Sequence, residues 1–224
     1  MVTPLIWYVC SVTTTARQQL LALLARDSFR LGEFKLSSGG TSDYYIDCRT
    51  TTLSGEGARL TGRVFLDEMY RQGWTPEAIG GLTMGADPIV VSVAMLSAQQ
   101  STERRPIPDL SPGAADYIRI NGFLVRKAEK QHGTGQRIEG FHKKGAKVVI
   151  VDDVCTTGSS TIQAIEAARE FGFDVIGTIC LVEREEAGGR PNVEKAAAPA
   201  PFLCIFTAED VRKEHLRQNA EKTA

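Results

Sequence analysis

Two adjacent carboxylates followed by a run of hydroxyls carry the strongest chemical signal in this chain: Val148 to Thr161 reads VVIVDDVCTTGSST. Residues Lys147 to Val151 are nearly all branched at Cβ, the pattern of a strand buried on both faces of a parallel sheet. Ligands of such sheets sit at the carboxyl ends of strands, so Asp152 and Asp153 are expected at the mouth of a site. The turn Thr156-Thr157-Gly158-Ser159-Ser160 offers consecutive backbone N–H groups, several hydroxyls and a helix N-terminus. Orphan donors and the helix dipole both favour a phosphate there. No lysine follows the glycine, so this is not the GxxxxGK[ST] loop. Two carboxylates beside such a cradle would repel a polyphosphate laid on them. They suit a ligand with hydroxyls between its charged ends, such as a ribose phosphate. They also suit the waters of a magnesium ion, which takes oxygen ligands and keeps much of its hydration. A strand end with a capped turn would account for an isolated Asp-Asp pair, but not for the whole strand–DD–TTGSS–helix string.

That string resembles the signature of type I phosphoribosyltransferases. The resemblance implies that Asp152 and Asp153 contact ribose hydroxyls. It also implies that the segment Val154, Cys155, Thr156, Thr157, Gly158, Ser159 and Ser160 binds phosphoribosyl pyrophosphate, with Thr156 to Ser160 on the 5-phosphate. Cys155 falls at the variable position of the motif and reads as packing.

A second cluster lies in VRKAEKQHGTGQRIEG, Val125 to Gly140, where Arg126, Lys127, Lys130 and His132 place four basic groups just past a strand end. Gly133, Gly135 and the polar residues read as a flexible loop, 126–140, that closes over a pyrophosphate. Two unit charges about 4 Å apart gain about 4 kcal/mol at an effective dielectric of about 20, against about 1 in water. Several such contacts would lower a barrier considerably. Glu129 and Glu139 dilute the field, and a solvated charge run is the competing account.

The RKxxKxHGTGxxIEG arrangement resembles the catalytic loop of the orotate phosphoribosyltransferases, and GEFKLSSGGTSDYYIDCR, GGLTMGADPI and CLVEREEAGG resemble further segments of that family. The resemblance runs from about Thr15 to the C-terminus, interrupted by Gln99 to Asp116. It implies transfer of ribose 5-phosphate to orotate with magnesium held mainly by substrate and water, in de novo UMP biosynthesis in the cytoplasm. It further implies a homodimer with shared active sites. By position, Lys127, Lys130, His132, Asp152 and Asp153 are the catalytic candidates, and Arg126 joins them in binding the sugar pyrophosphate. Arg184 and Thr156 are the candidates for orotate, whose carboxylate a guanidinium can meet with two parallel hydrogen bonds. An ion pair with Glu183, Glu185 or Glu186 is the plainer role for Arg184. Tyr44 and Tyr45 offer a flat wall for the base, or simple packing. The chain departs from some members in having no lysine at Leu36-Ser37-Ser38 and in carrying Gly85 where those members have one.

The elements that must position these groups follow from the pattern. Thr15 to Arg26 reads as a helix with Leu20, Leu23 and Leu24 on one face, and Ser54 caps a helix to about Gln72 with Leu60, Val64, Phe65 and Met69 inward. Ala78–Leu82, Ile118–Val125, Lys147–Val151, Asp174–Val182 and Phe202–Phe206 read as strands. Pro88–Ala98, Ser160–Phe171 and a segment from Glu209 read as helices. Gln99 to Asp116 reads as a surface insertion. Alternation of strands and helices predicts a single three-layer α/β domain, a mostly parallel sheet flanked by helices. The core is expected over about 54–199, with a small hood from about 14–50 and 200–220. Residues 1–13 read as a loose extension or as sequence upstream of the true start.

The bulk properties restrict the alternatives. A net charge of -1 argues against binding to nucleic acid or an anionic membrane through global charge. Five scattered cysteines with no CxxC argue against a disulfide framework. The alternatives left are a phosphoribosyltransferase for another base, and a non-catalytic regulator that senses the sugar pyrophosphate.

Overall fold

The computed structural model describes residues 15–35, 40–103, 119–127 and 137–223. The expected extension 1–13, most of the insertion, and Lys130 and His132 lie outside the described residues.

Six strands form the main sheet in the order β5-β4-β3-β6-β7-β8: β3 (Ala78–Leu82), β4 (Asn121–Val125), β5 (Ile138–Gly140), β6 (Lys147–Cys155), β7 (Asp174–Glu183) and β8 (Phe202–Thr207). All neighbours pair in parallel except β4 with β5. This is the mostly parallel α/β sheet expected. Side chains alternate across β6, as the strand period requires. Val149 and Val151 face one apolar cluster, with Leu60 and Phe65 of α3 (Gly55–Arg71) and Ile89 and Val93 of α4 (Asp87–Glu103). Val148 and Ile150 face the other, with Ile165 and Ala168 of α5 (Ser159–Phe171). Helices therefore cover both faces, which is why β6 is apolar without interruption until Asp152.

Separately, β1 (Phe29–Lys35) and β2 (Thr41–Ile46) form an antiparallel pair. It is bracketed by α1 (Ala16–Leu23), a π turn over Leu24–Ser28, and α7 (Ala208–Thr223). Ser54 caps α3 as expected, accepting from the Gly57 N–H at 3.1 Å.

Several elements differ from the sequence pattern. Helix α4 runs to Glu103 rather than ending near Ala98. Strand β5 falls inside the segment read as loop. A short helix α2 (Arg49–Thr52) follows β2, and α6 (Arg190–Ala197) precedes β8. Strand β8 is an edge of the main sheet, whereas the sequence pattern places 200–220 in the hood.

Candidate active site

The carboxyl ends of β3, β4 and β6 open onto a cleft of about 890 Å³. Its walls include Asp152, Asp153, Val154, Thr156 and Ser160 from the motif, Arg126, Lys127 and Glu139 from the basic segment, and Leu82 to Gly85 from the β3–α4 turn. From the end of β2 come Tyr45, Ile46, Asp47 and Arg49.

The acidic pair is the floor, and its two members are not equivalent. Strand β6 continues through Cys155, so Asp152 and Asp153 lie within it and point to opposite faces. Asp152 is on the α5 side, only 4% exposed, and its Oδ2 accepts a 2.5 Å hydrogen bond from Thr161 Oγ1. Its Oδ1 accepts from the Asp153 N–H at 3.1 Å. Burial, helped by the neighbouring charge of Asp153 and opposed by the Thr161 hydroxyl, pushes Asp152 up to about 7. Asp153 is on the other face, where burial also raises its pKa and Arg49 opposes the shift. A Cβ at Gly85 would stand 2.2 Å from Asp153 Oδ1, so the glycine lets the β3–α4 turn lie close against this carboxylate in its present rotamer.

Beyond the floor, Gly158 takes the left-handed conformation, φ +81°, and α5 starts without a side-chain cap. The turn is buttressed from behind by the start of α6. A Cβ at Gly189 would meet the Thr156 carbonyl oxygen at 2.0 Å, and one at Gly158 would meet Val193 at 2.4 Å. Arg190, bonded through Nε and Nη2 to the buried Glu183, fixes that helix start. Cys155 is buried and its N–H donates to Cys180 Sγ; like Thr157, Gly158 and Ser159, it does not line the cleft.

The folding pattern and the composition of this cleft agree with what the comparisons find. Residues 110–196 match the family model for a phosphoribosyl transferase domain. The orotate phosphoribosyltransferase of Aquifex aeolicus is 39% identical over 186 residues, which cover 82% of this chain and 91% of the relative. The chain belongs to the orotate phosphoribosyltransferase family. With the family come the reaction class, pentosyl transfer, and a place in pyrimidine biosynthesis. Among solved structures, the orotate phosphoribosyltransferase of Mycobacterium tuberculosis in complex with Fe(III) dicitrate superposes with a TM-score of 0.69 at 31% identity, covering 88% of this chain and 99% of that one. The same enzyme in complex with 5-phospho-alpha-D-ribosyl 1-diphosphate gives 0.66 at 28% identity, covering 88% and 99%.

For an orotate phosphoribosyltransferase, Arg184 has an unexpected position. It is 9% exposed and does not line the cleft. Its Nε donates to Tyr44 Oη and to Glu186 Oε1, each at 2.9 Å, and Nη2 donates to Ser42 Oγ at 3.1 Å. The guanidinium also lies 4.6 Å from the centre of the Tyr44 ring. Tyr44 therefore packs against Arg184, and Tyr45 is the tyrosine on the cleft wall. Arg126 pairs with Glu139 at 3.3 Å across β4 and β5, while Lys127 is exposed. Asp47, Arg49, Thr83 and Met84 also line the cleft. The sequence marks them only as members of segments that resemble the family, GEFKLSSGGTSDYYIDCR and GGLTMGADPI, and gives none of them a role of its own.

Proposed function

We propose that the cleft binds phosphoribosyl pyrophosphate and orotate, and that its residues transfer ribose 5-phosphate to the base with release of pyrophosphate. What supports this most is the meeting of Asp152, Asp153, Thr156 and Ser160 with Arg126 and Lys127 around one cavity large enough for both substrates. Asp152 and Asp153 accept from the ribose hydroxyls. The uncapped start of α5 receives the 5-phosphate, with Thr156 and Ser160, the two ends of the turn that reach the cleft, beside it. Carboxylate oxygens are donors of the type magnesium takes, directly or through water; bound magnesium would supply charge neutralisation on the pyrophosphate. Arg126, Lys127, Lys130 and His132 meet the leaving group, and Lys130 or His132 hands it a proton. As pyrophosphate leaves C1, positive charge develops on the sugar beside the acidic pair, which favours it. The ring nitrogen of orotate attacks from the opposite face and gives up its proton to solvent, which balances the proton that Lys130 or His132 hands to the pyrophosphate and later regains. Thr156 contacts the base, and Arg184 meets its carboxylate after exchanging Glu186 for it. We further propose a cytoplasmic enzyme. Cys48, Cys155, Cys180 and Cys204 are free thiols, suited to a reducing compartment, and among the described residues no helix is long and apolar enough to cross a membrane.

The decisive assay is incubation with magnesium, phosphoribosyl pyrophosphate and orotate, followed by the loss of orotate absorbance. A panel of other bases should give no comparable pyrophosphate release; turnover of another base in place of orotate would overturn the assignment. Lys130→Ala is expected to slow the chemical step about a hundredfold while leaving sugar pyrophosphate affinity nearly unchanged. We propose that Lys130 serves the neighbouring subunit of a homodimer. Mixing Lys130→Ala with Asp153→Asn chains should then recover activity as hybrid dimers form. No recovery after subunit exchange, monitored by mass, would rule out the shared site.

A further inference from the structure

The geometry points to Arg49 as a fixed cation that binds the pyrophosphate of the substrate from the β2 end of the cleft. This rests on the reading of the Asp152/Asp153 cleft as the sugar pyrophosphate site, and it extends the leaving-group contacts to a residue built into the rigid core.

Three observations carry it. First, Arg49 stands on an anchored segment. Cys48 and, one turn on, Thr51 and Thr52 are fully buried. The Arg49 N–H donates to Asp47 Oδ1 at 3.1 Å, and Nε and Nη2 bond the two oxygens of that carboxylate, each at 2.8 Å. A planar guanidinium held in this way keeps its direction without further ordering when a ligand arrives. The remaining arm, Nη1, bonds no group among the described residues, and 41% of the side chain stays exposed at the cleft.

Second, the guanidinium senses the catalytic floor. Its field opposes the burial-driven rise of the Asp153 pKa, and Asp153 in turn adds to the rise of the Arg49 pKa that Asp47 chiefly causes.

Third, the cleft needs it. Among the described lining residues four are carboxylates and three are cations; Arg126 is paired with Glu139 and Arg49 with Asp47, so both reach a ligand only through the donors those pairs leave over, Nη1 in the case of Arg49. The β3–α4 turn from Leu82 to Gly85 brings no charged side chain. A pyrophosphate lying beside four carboxylates requires positive charge on the core side as well as from 126–140, and Arg49 is the cation that the β2 end supplies. Oxygen acceptors of a phosphate suit a guanidinium, with parallel N–H groups, better than a point charge.

Calorimetric binding separates the parts of the substrate without relying on turnover. Titrating wild type and Arg49→Gln with magnesium pyrophosphate, and separately with ribose 5-phosphate, should show pyrophosphate weakened about tenfold or more, with ribose 5-phosphate within about twofold. Arg49→Lys should recover part of the loss, because charge returns without the fork. If Arg49 only keeps Asp153 ionised, Arg49→Gln would leave pyrophosphate binding intact and shift the acid limb of kcat/KM upward; that result overturns the proposal. Asp153→Asn tests the underlying reading on its own. It should weaken ribose 5-phosphate, and if it does not, the sugar assignment falls while the pyrophosphate titration still decides Arg49. A melting temperature matching wild type checks that Arg49→Gln is folded.

Discussion

Gly189→Ala is expected to lower kcat/KM for phosphoribosyl pyrophosphate by about a thousandfold and to reduce the melting temperature by several degrees. The added methyl would stand 2.0 Å from the Thr156 carbonyl oxygen, 2.7 Å from the Thr157 carbonyl carbon and 2.9 Å from the Gly158 nitrogen. All three are backbone atoms, so no side chain can swing aside. Either the start of α6 or the turn ahead of α5 must move. The α6 start is held by the Arg190–Glu183 pair, of which Glu183 is 3% exposed, and by Val193, fully buried against Gly158. The turn packs on that start with backbone atoms of Thr156, Thr157 and Gly158 and has no side-chain cap where it enters α5, so the turn yields. Displacing a positioning loop by about 1 Å costs about a hundredfold, and weaker phosphate binding about tenfold more. Overpacking of this kind costs about 1–3 kcal/mol of stability. The control is Gly55→Ala, where the new methyl meets nothing within 4 Å. Kinetics and melting curves on both variants check the expectation. Wild-type kcat/KM in Gly189→Ala would show that the α6 start does not set the phosphate turn.

This buttress was not legible in the sequence. Arg190 to Ala197 carries only a weak helical signal. Its Pro191 near the start and the Val193/Ala197 spacing are real cues, but they sit in a stretch of alanines and prolines that reads as a connection between strands. Packing against α5 and β7 stabilises the helix, and such tertiary support is invisible to periodicity. Strand β5 escaped for another reason: three residues give no period to detect, and its pairing with β4 is a long-range event. By contrast, β6 was legible because burial on both faces leaves an unbroken run of Val and Ile. Its end is not: the residue pattern puts the carboxylates after the strand, whereas the ladder with β7 continues to Cys155. The strand alternation then separates Asp152 from Asp153, giving one to Thr161 and the other to the β2 and β3 ends. The types of residue at the site were readable from the motif. Their division of labour was not, because it depends on which face each occupies.

That division makes Asp152→Asn a test with two opposed outcomes. A buried carboxyl raised to about 7 binds its proton more tightly in the native chain than in the unfolded one, whose value is 3.8. Between those two values the native state holds more protons, so this group's contribution to stability is full below about 4 and is lost as pH rises through about 7. The loss is on the order of 4 kcal/mol, from roughly three pKa units at 1.36 kcal/mol each. Asparagine has nearly the same shape and no charge, and it removes that penalty. Asp152→Asn is therefore expected to melt several degrees above wild type at pH 8.5, with the difference vanishing only below about pH 4. Activity should move the other way. An amide offers one acceptor where the carboxylate offers two, and it carries no charge to favour the developing cation on the sugar. A loss of about a thousandfold in kcat/KM is expected. In wild type, kcat/KM for the sugar pyrophosphate should fall about tenfold per pH unit below 7, as Asp152 takes up its proton in the free enzyme. Equal melting temperatures at pH 8.5 would mean that the carboxylate is stabilised in place, and the burial penalty on Asp152 would have to be withdrawn. Higher stability with activity retained would instead remove Asp152 from the ribose and leave Asp153 as its sole acidic contact.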